Sequence, residues 1–259
     1  MGILNVTPDS FYAASRCRGE QAIVTRARQI VAEGGTMIDV GAYSTRPDAA
    51  EVSADEEMAR LAEALPLVQE AAPDALISVD TFRADVARRC VTEFGVDIIN
   101  DVSGGTLDPE MFRTVAELNV PYILMHMRGT PKTMQSLTDY RDLVGEVRDF
   151  FIERIASLRA LGATEIILDP GYGFAKTLEQ NYELFAALPK LIALGYPILV
   201  GISRKSMIYR LLGGTADEAL NGTTVLNTLA LQAGAHILRV HDVRAAVEAL
   251  KIWEHIHQY

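Results

Sequence analysis

The sequence predicts a single α/β domain, a closed (β/α)8 barrel of the TIM type, from three observations. Short, branched, apolar runs alternate with helical stretches from end to end. The apolar runs are nearly continuous, the pattern of parallel strands covered on both faces. Eight such strand–helix units fit into 259 residues with no low-complexity segment, linker or repeat. That number favours a closed barrel over an open doubly wound sheet.

The predicted strands are Gly2–Asn5, Thr36–Val40, Ala75–Val79, Asp97–Asn100, Pro121–Met125, Glu165–Leu168, Pro197–Val200 and Ala235–Val240. Helix Gln21–Glu33 places Ile23, Ala27, Ile30 and Val31 on one side. Helix Ser53–Glu70 opens with Ser53-Ala54-Asp55-Glu56, a capping-box pattern. Arg83–Glu93, Pro109–Leu118, Asp139–Leu161 and Leu178–Ala193 follow. A helical region broken near Gly213-Gly214 precedes the last strand, and Val243–His255, with Asp242 placed to cap it, follows that strand. Gly34-Gly35, Gly95, Gly162, Gly195 and Gly234 stand where helices give way to strands, as left-handed C-caps do. The chain opens inside a strand, Met1-Gly2-Ile3-Leu4-Asn5, which leaves room for a leading strand or extension.

Composition narrows the function classes. Apolar residues make up 49% and charged residues 22%, a normal globular balance. The 24 basic and 34 acidic residues give a formal net charge of −10, which argues against a broad nucleic-acid surface. The two cysteines, Cys17 in a predicted loop and Cys90 in a helix, make no disulfide framework and fit a reducing, cytoplasmic setting. No apolar run approaches the ~20 residues that span a membrane, and no secretory signal is present.

Polar residues collect where the predicted strands finish. Asn5 ends the first, and Asp39 leads from the second into Gly41-Ala42-Tyr43-Ser44-Thr45-Arg46-Pro47. Asp80, Asn100-Asp101, Met125-His126, Asp169-Pro170-Gly171, Gly201-Ile202-Ser203-Arg204-Lys205 and Arg239-Val240-His241 end the others. In a barrel these ends meet at one rim, where active sites lie. Asp80, Asn100 and Asp169 suit a flat heterocycle rich in N–H donors and ring nitrogens. Lys205, Arg239 and His241 offer positive charge or donors to an anion. Asn5 could hold Mg²⁺ with phosphate and water completing the shell.

Each residue also has a plainer reading. Asp80, ahead of Thr81-Phe82-Arg83, could cap a helix. Asn100 or Asp101 could hold a Gly104-Gly105 turn, Asp169-Pro170-Gly171 could be a turn alone, and Arg204 and Lys205 could be solvated. Asn5 could cap a loop, and His241 could be structural. What those readings leave unexplained is polar chemistry at every strand end. His126 could approach the rim but is not read as a catalyst, and His236, His255 and His257 look less promising. No zinc-ligand spacing appears, and Gly171-Tyr172-Gly173-Phe174-Ala175-Lys176 contains GxG without a dinucleotide fingerprint or Walker loop.

Several motifs, in order and over nearly the whole chain, resemble those of dihydropteroate synthases. Gly2-Ile3-Leu4-Asn5-Val6-Thr7-Pro8-Asp9-Ser10-Phe11 resembles the family's first strand and loop, and Asp39-Val40-Gly41-Ala42-Tyr43-Ser44-Thr45-Arg46-Pro47 its second. Ser78-Val79-Asp80-Thr81, Ile99 to Gly105, Leu124-Met125-His126-Met127, Asp169 to Phe174, Gly201 to Ser206 and Arg239-Val240-His241-Asp242 continue the likeness. The resemblance implies condensation of 6-hydroxymethyl-7,8-dihydropterin diphosphate with 4-aminobenzoate in folate biosynthesis, with Mg²⁺ as cofactor and a homodimer as the assembly. It implies that Asp80, Asn100, Met125, Asp169, Phe174, Lys205 and Arg239 hold the pterin. Asn5, Arg239 and His241 would bind diphosphate, with Asn5 at the metal. Thr45, Arg46, Pro47, Phe174, Lys205 and Ser206 would arrange the aminobenzoate. Catalysis would fall to Asp9, Asp80, Asp169, Lys205, Arg239 and His241, with Asp9 acting in closure of the first loop.

The chain departs from the family pattern at Tyr12-Ala13-Ala14-Ser15-Arg16, where relatives carry a Ser-Asp-Gly-Gly-like stretch, at Asp48 in place of Gly, and at Tyr172 in place of Phe. The first of these bears on loop efficiency before it bears on substrate class. The alternatives are a non-catalytic pterin-binding paralogue and a pterin-dependent methyltransferase domain. The intact Thr45-Arg46-Pro47 and Ser203-Arg204-Lys205-Ser206 segments favour the synthase over the latter.

Overall fold

A computed structural model describes residues 1–7, 19–43 and 52–259. In chain order the elements are β1 (Gly2–Asn5), α1 (Glu20–Ala32), β2 (Met37–Gly41), α2 (Ala54–Ala71), β3 (Leu76–Asp80), α3 (Ala84–Phe94), β4 (Ile98–Asp101), α4 (Met111–Leu118), β5 (Tyr122–Met125) and α5 (Leu143–Ala160). There follow β6 (Ile166–Asp169), α6 (Leu178–Ala186), α7 (Leu188–Ile192), β7 (Leu199–Val200), α8 (Ser206–Leu212), α9 (Leu220–Ala233), β8 (Ile237–Leu238) and α10 (Val243–Ile256).

Strands β1 to β6 lie side by side in chain order, and β7 pairs with β8. All these pairings are parallel. Two parallel bridges, Leu168 with Ile198 and Gly2 with Val240, join the sheets into a ring. At the closing seam the Ile3 amide donates to the Val240 carbonyl at 3.0 Å, and the Val240 amide donates to Met1 at 3.0 Å. The chain is therefore the predicted (β/α)8 barrel.

Alternation along the strands separates two cores. Leu4, Ile38, Val40, Ile77, Val79, Ile99, Leu124, Leu168, Ile198 and Val200 pack with the apolar faces of the helices. Ile98, Ile123 and Leu199, with Met1, Met37, Ile167 and Ile237 against them, form a separate cluster. This is the period-two division expected when one strand face meets helices and the other fills the barrel. Each fully buried Leu or Ile contributes about 1.5–3 kcal/mol.

Several element ends differ from the sequence reading for local reasons. Predicted helix Leu178–Ala193 divides at Ala187 into α6 and α7, with Pro189 in the first turn of α7. Proline lacks the amide that a continuous helix needs, and its ring crowds the preceding turn. Helix α5 starts at Leu143 rather than Asp139, because the Asp142 carboxylate accepts the Gly145 amide at 3.0 Å. In α2 the Ser53 hydroxyl accepts the Glu56 amide at 3.1 Å, but the Glu56 carboxylate pairs with Arg60. Asp242 makes no side-chain cap to α10. Its carboxylate grips Arg204 instead, at 2.8 and 2.9 Å.

Asp101, not Asn100, proves to be the turn residue after β4. Its carboxylate accepts the Ser103 amide at 2.7 Å, the Gly105 amide at 2.8 Å and the Tyr122 hydroxyl at 2.6 Å. The turn must be glycine at Gly104, where φ is 59° and a Cβ would come within 2.4 Å of the Met125 carbonyl oxygen. Both Tyr122 and Asp101 are fully buried. Tyr122→Phe should therefore lower unfolding free energy by about 1–3 kcal/mol, seen as a lower denaturant midpoint at unchanged slope. An unchanged midpoint would show that the hydroxyl contributes nothing to the turn.

Candidate active site

The carboxyl ends of the strands open onto a cavity of about 940 Å³. Asn5 from β1, Asp80 from β3, Asn100 from β4, Met125 from β5 and Asp169 from β6 line it. Phe174, Lys205, Ser206, Arg239 and His241 complete the set. Every predicted site residue within the described part of the chain thus meets at one place. Asp9, Thr45, Arg46 and Pro47 lie outside the described residues, as do Cys17 and the departures at 12–16 and 48.

The floor is a polar network that the sequence reading did not assign. Asp39, fully buried on β2, accepts the Ser78 hydroxyl at 2.6 Å and the Asn100 amide nitrogen at 3.1 Å. Arg239 Nε also donates to Asp39 at 2.7 Å, and Arg239 Nη2 reaches Asp80 at 3.0 Å. Asp39 therefore orients the amide and the guanidinium that face the cavity. Asp80 forms an ion pair in place of the helix cap; the Ala84 amide at the start of α3 goes to Asp108 at 2.8 Å. Burial pushes the Asp80 carboxyl up from the usual range, against the pull of Arg239.

Asp169 combines turn and site. One carboxylate oxygen accepts the Gly171 amide at 2.8 Å. Burial raises its pKa, opposed first by Lys205. Lys205 donates to the Tyr172 carbonyl at 2.6 Å, and its ammonium lies 4.8 Å from the Phe174 ring centroid. Burial brings its pKa down to about 8, with Asp169 pulling the other way. Val102, Met125, Met134 and Phe174 give the cavity an apolar wall, with Met127 and Ala175 packed in the same cluster. Carboxylates, an amide and a cation against such a wall can grip a flat, N–H-rich ring by edge and face.

Toward the mouth, the His241 amide donates to the Ser203 hydroxyl at 3.1 Å, and its Nδ1 lies 3.1 Å from the same oxygen. Its carbonyl accepts Arg26 Nη2 at 2.6 Å, and Arg26 Nε reaches the Ile3 carbonyl at 3.2 Å. An α1 arginine thus ties the first and last strands together. Burial, then the cations Arg239, Arg26, Arg204 and Lys205, drive His241 down to about 3, so its imidazole is neutral and serves as a hydrogen-bonding group. Arg204 is structural rather than solvated: besides Asp242 it caps the Ala216 and Asp217 carbonyls at 2.9 and 2.7 Å.

His126 is buried in contact with Lys176 and has no place among the charged groups at the mouth. His255 and His257 are exposed at the end of α10. Cys90 is a fully buried free thiol whose pKa burial raises to about 12. Among the described residues no group of three His, Cys, Asp or Glu could hold a metal. Asn5 brings one hard oxygen donor to the cavity, and a Cβ on Gly41 would lie 3.0 Å from it. That donor set fits Mg²⁺ held mainly by phosphate and water.

Lys176 was not singled out by the sequence reading, yet it is buried at the cavity and burial lowers its pKa to about 7. An unfolded lysine titrates near 10.4, so between pH ~7 and ~10 the unfolded chain binds more protons and folding stability rises with pH. Lys176→Met removes that gain. The stability difference between wild type and variant should widen from pH 7 to pH 9.5, by at most about 1.4 kcal/mol per unit. A constant difference in denaturant titrations would contradict the depressed lysine.

A family model described as pterin binding enzyme matches residues 1–241. The dihydropteroate synthase of Synechocystis sp. is 45% identical over 257 residues, covering 97% of this chain and 88% of that protein. A Yersinia pestis dihydropteroate synthase with a sulfonamide drug complex superposes with a TM-score of 0.93 at 39% identity, covering 100% of this chain and 94% of that one. The Thermus thermophilus enzyme in complex with 4-aminobenzoate gives a TM-score of 0.88 at 38% identity, over 99% and 93% of the two chains. With the cavity built as described, the chain belongs to the dihydropteroate synthase family of pterin-binding enzymes.

Proposed function

We propose that this chain condenses 6-hydroxymethyl-7,8-dihydropterin diphosphate with 4-aminobenzoate, giving 7,8-dihydropteroate and diphosphate. One observation carries the reading: Asp80, Asn100, Asp169 and Lys205 converge beside the Met125–Phe174 wall in one cavity. The carboxylates and amide match the donors and acceptors of a pterin edge, and the wall matches its face. The Thermus thermophilus and Xanthomonas albilineans synthases in complex with 4-aminobenzoate support the second substrate.

In the reaction, the methylene C–O bond breaks and its electron pair leaves with diphosphate. The aromatic amine then forms the C–N bond and gives up a proton. Asp80 and Asp169 hold the ring and favour the positive charge that develops on it. Arg239 supplies positive charge to the leaving diphosphate, and neutral His241 can add a hydrogen bond. Mg²⁺ at Asn5, when bound, would neutralise further phosphate charge. Ser206, at the first turn of α8, lines the cavity where the amine's carboxylate would lie. The pairing of Arg239 with Asp39 and Asp80 fixes its guanidinium plane, which supports a role in stacking against the pterin as well.

We further propose a homodimer in a reducing, cytoplasmic setting. Val225 and Leu229 on α9 and Ile252 and Ile256 on the neighbouring α10 are exposed apolar side chains that a second copy could cover. A buried thiol at Cys90 suits reducing conditions. Among the described residues no helix is long and apolar enough to cross a membrane.

The direct test measures diphosphate release with Mg²⁺, with and without 4-aminobenzoate, alongside mass detection of dihydropteroate. Stoichiometric release and product are expected. Asp169→Asn should lower kcat/KM by roughly 10²-fold or more, because the group acts on charge formed in the transition state. Tight pterin binding by folded protein without coupled product would sink the synthase reading and leave the non-catalytic binder or another acceptor.

A further inference from the structure

We propose that Lys176, braced by His126, is a positioning residue that sets the pterin-facing wall of the cavity by clamping the 171–174 loop. Lys176 is 4% exposed and His126 is 2% exposed. The lysine nitrogen lies 2.9 Å from the Gly171 carbonyl, 3.0 Å from the Phe174 carbonyl and 3.1 Å from His126 Nδ1. Burying an amine is costly unless each of its hydrogens is accepted, and a residue used only for packing would be apolar.

The three partners satisfy the nitrogen in either charge state. As an ammonium it donates to both carbonyls and to the imidazole lone pair. As an amine it donates to both carbonyls and accepts the Nδ1–H of the other His126 tautomer. An imidazole can exchange these roles, whereas a third carbonyl could only accept. The charged groups around the lysine are Asp169, Lys205 and Arg128, and the first of these favours the ammonium. Burial lowers the lysine pKa, which keeps both forms accessible.

The two clamped carbonyls belong to the segment that presents the site. The Gly171 amide holds Asp169, and Phe174 forms the wall. This segment has little regular hydrogen bonding of its own. Ala175 has φ of 50°, a left-handed backbone without glycine, so surrounding contacts must hold it. Asn181 grips the other side, accepting the Gly173 amide at 2.6 Å. At Gly171 a Cβ would come within 2.0 Å of the His126 carbonyl oxygen, so the ends of β5 and β6 are locked together at this point. The Lys176 side chain thus reaches both ends of the 171–174 turn.

The inference rests on the pterin reading of the cavity. Calorimetric titration with 6-hydroxymethyl-7,8-dihydropterin diphosphate and steady-state kinetics on wild type, Lys176→Met and His126→Gln test it. Lys176→Met should weaken pterin diphosphate binding and raise its KM about tenfold or more, and His126→Gln about threefold. The KM for 4-aminobenzoate should move less than the pterin KM. Binding within twofold of wild type in both variants would overturn the proposal, even if their Tm fell, because packing alone would then explain the lysine. If Lys176→Met does not fold, His126→Gln decides by the same twofold limit. A wild type that binds no pterin diphosphate overturns the proposed function and this inference together. Tight wild-type binding with unchanged variants overturns this inference alone.

Discussion

The structure turns on the pairing of Asp39 with Arg239 inside the barrel. Asp39 has no exposed surface, and its carboxylate is shared by Ser78, Asn100 and the guanidinium. Four strands therefore meet at one anion: β2 supplies it, β3 and β4 bond to it, and Arg239 from the end of β8 neutralises it. A buried pair of this kind adds little net stability, but breaking it leaves an uncompensated charge at a cost of about 3–5 kcal/mol. What it secures is direction. The Asn100 amide can flip and the long Arg239 side chain can rotate, and their bonds to the shared carboxylate orient both toward the cavity.

Above that layer, charge is arranged in opposed pairs. Asp80 faces Arg239, and Lys205 is the largest influence opposing burial at Asp169. The chain carries a formal charge of −10, so its overall field does not attract a diphosphate. The cations that could do so are few, local and partly desolvated, where their influence is strongest. The neutral imidazole of His241 follows first from its burial and then from the same crowding, since a further cation beside Arg239, Arg26 and Arg204 would be repelled.

The rim was legible because polar residues end strand after strand, at Asp80, Asn100, Asp169 and Arg239, and caps or turns could explain any one of them but not the recurrence. The layer beneath was harder to read. Asp39 lies in mid-strand, and only the barrel's interior, with Ser78 and Arg239 opposite, distinguishes its role from that of any strand-end acid. Arg26 sits on a helix where arginine is ordinarily solvated; its anchoring of His241 depends on two strands distant in sequence. Lys176 looked like the tail of a glycine motif, although a charged residue following the apolar Phe174-Ala175 pair was a usable signal. Asp242 shows the opposite error: a good local cap was displaced by a stronger bidentate partner in Arg204.

The seam between β1 and β8 has a consequence for how the molecule is made. Strand β1 finds its second neighbour only when residues near 240 are available, as the bond from Ile3 to Val240 requires. Until then the sheet has two open edges, and loop closure over such a separation is slow. Arg26 and His241 meet at the same moment, and so do Arg239 and Asp39. A nascent chain can thus acquire most of its helices and strands while the cavity still lacks its guanidinium, and competence for chemistry arrives with the last strand rather than growing along the chain.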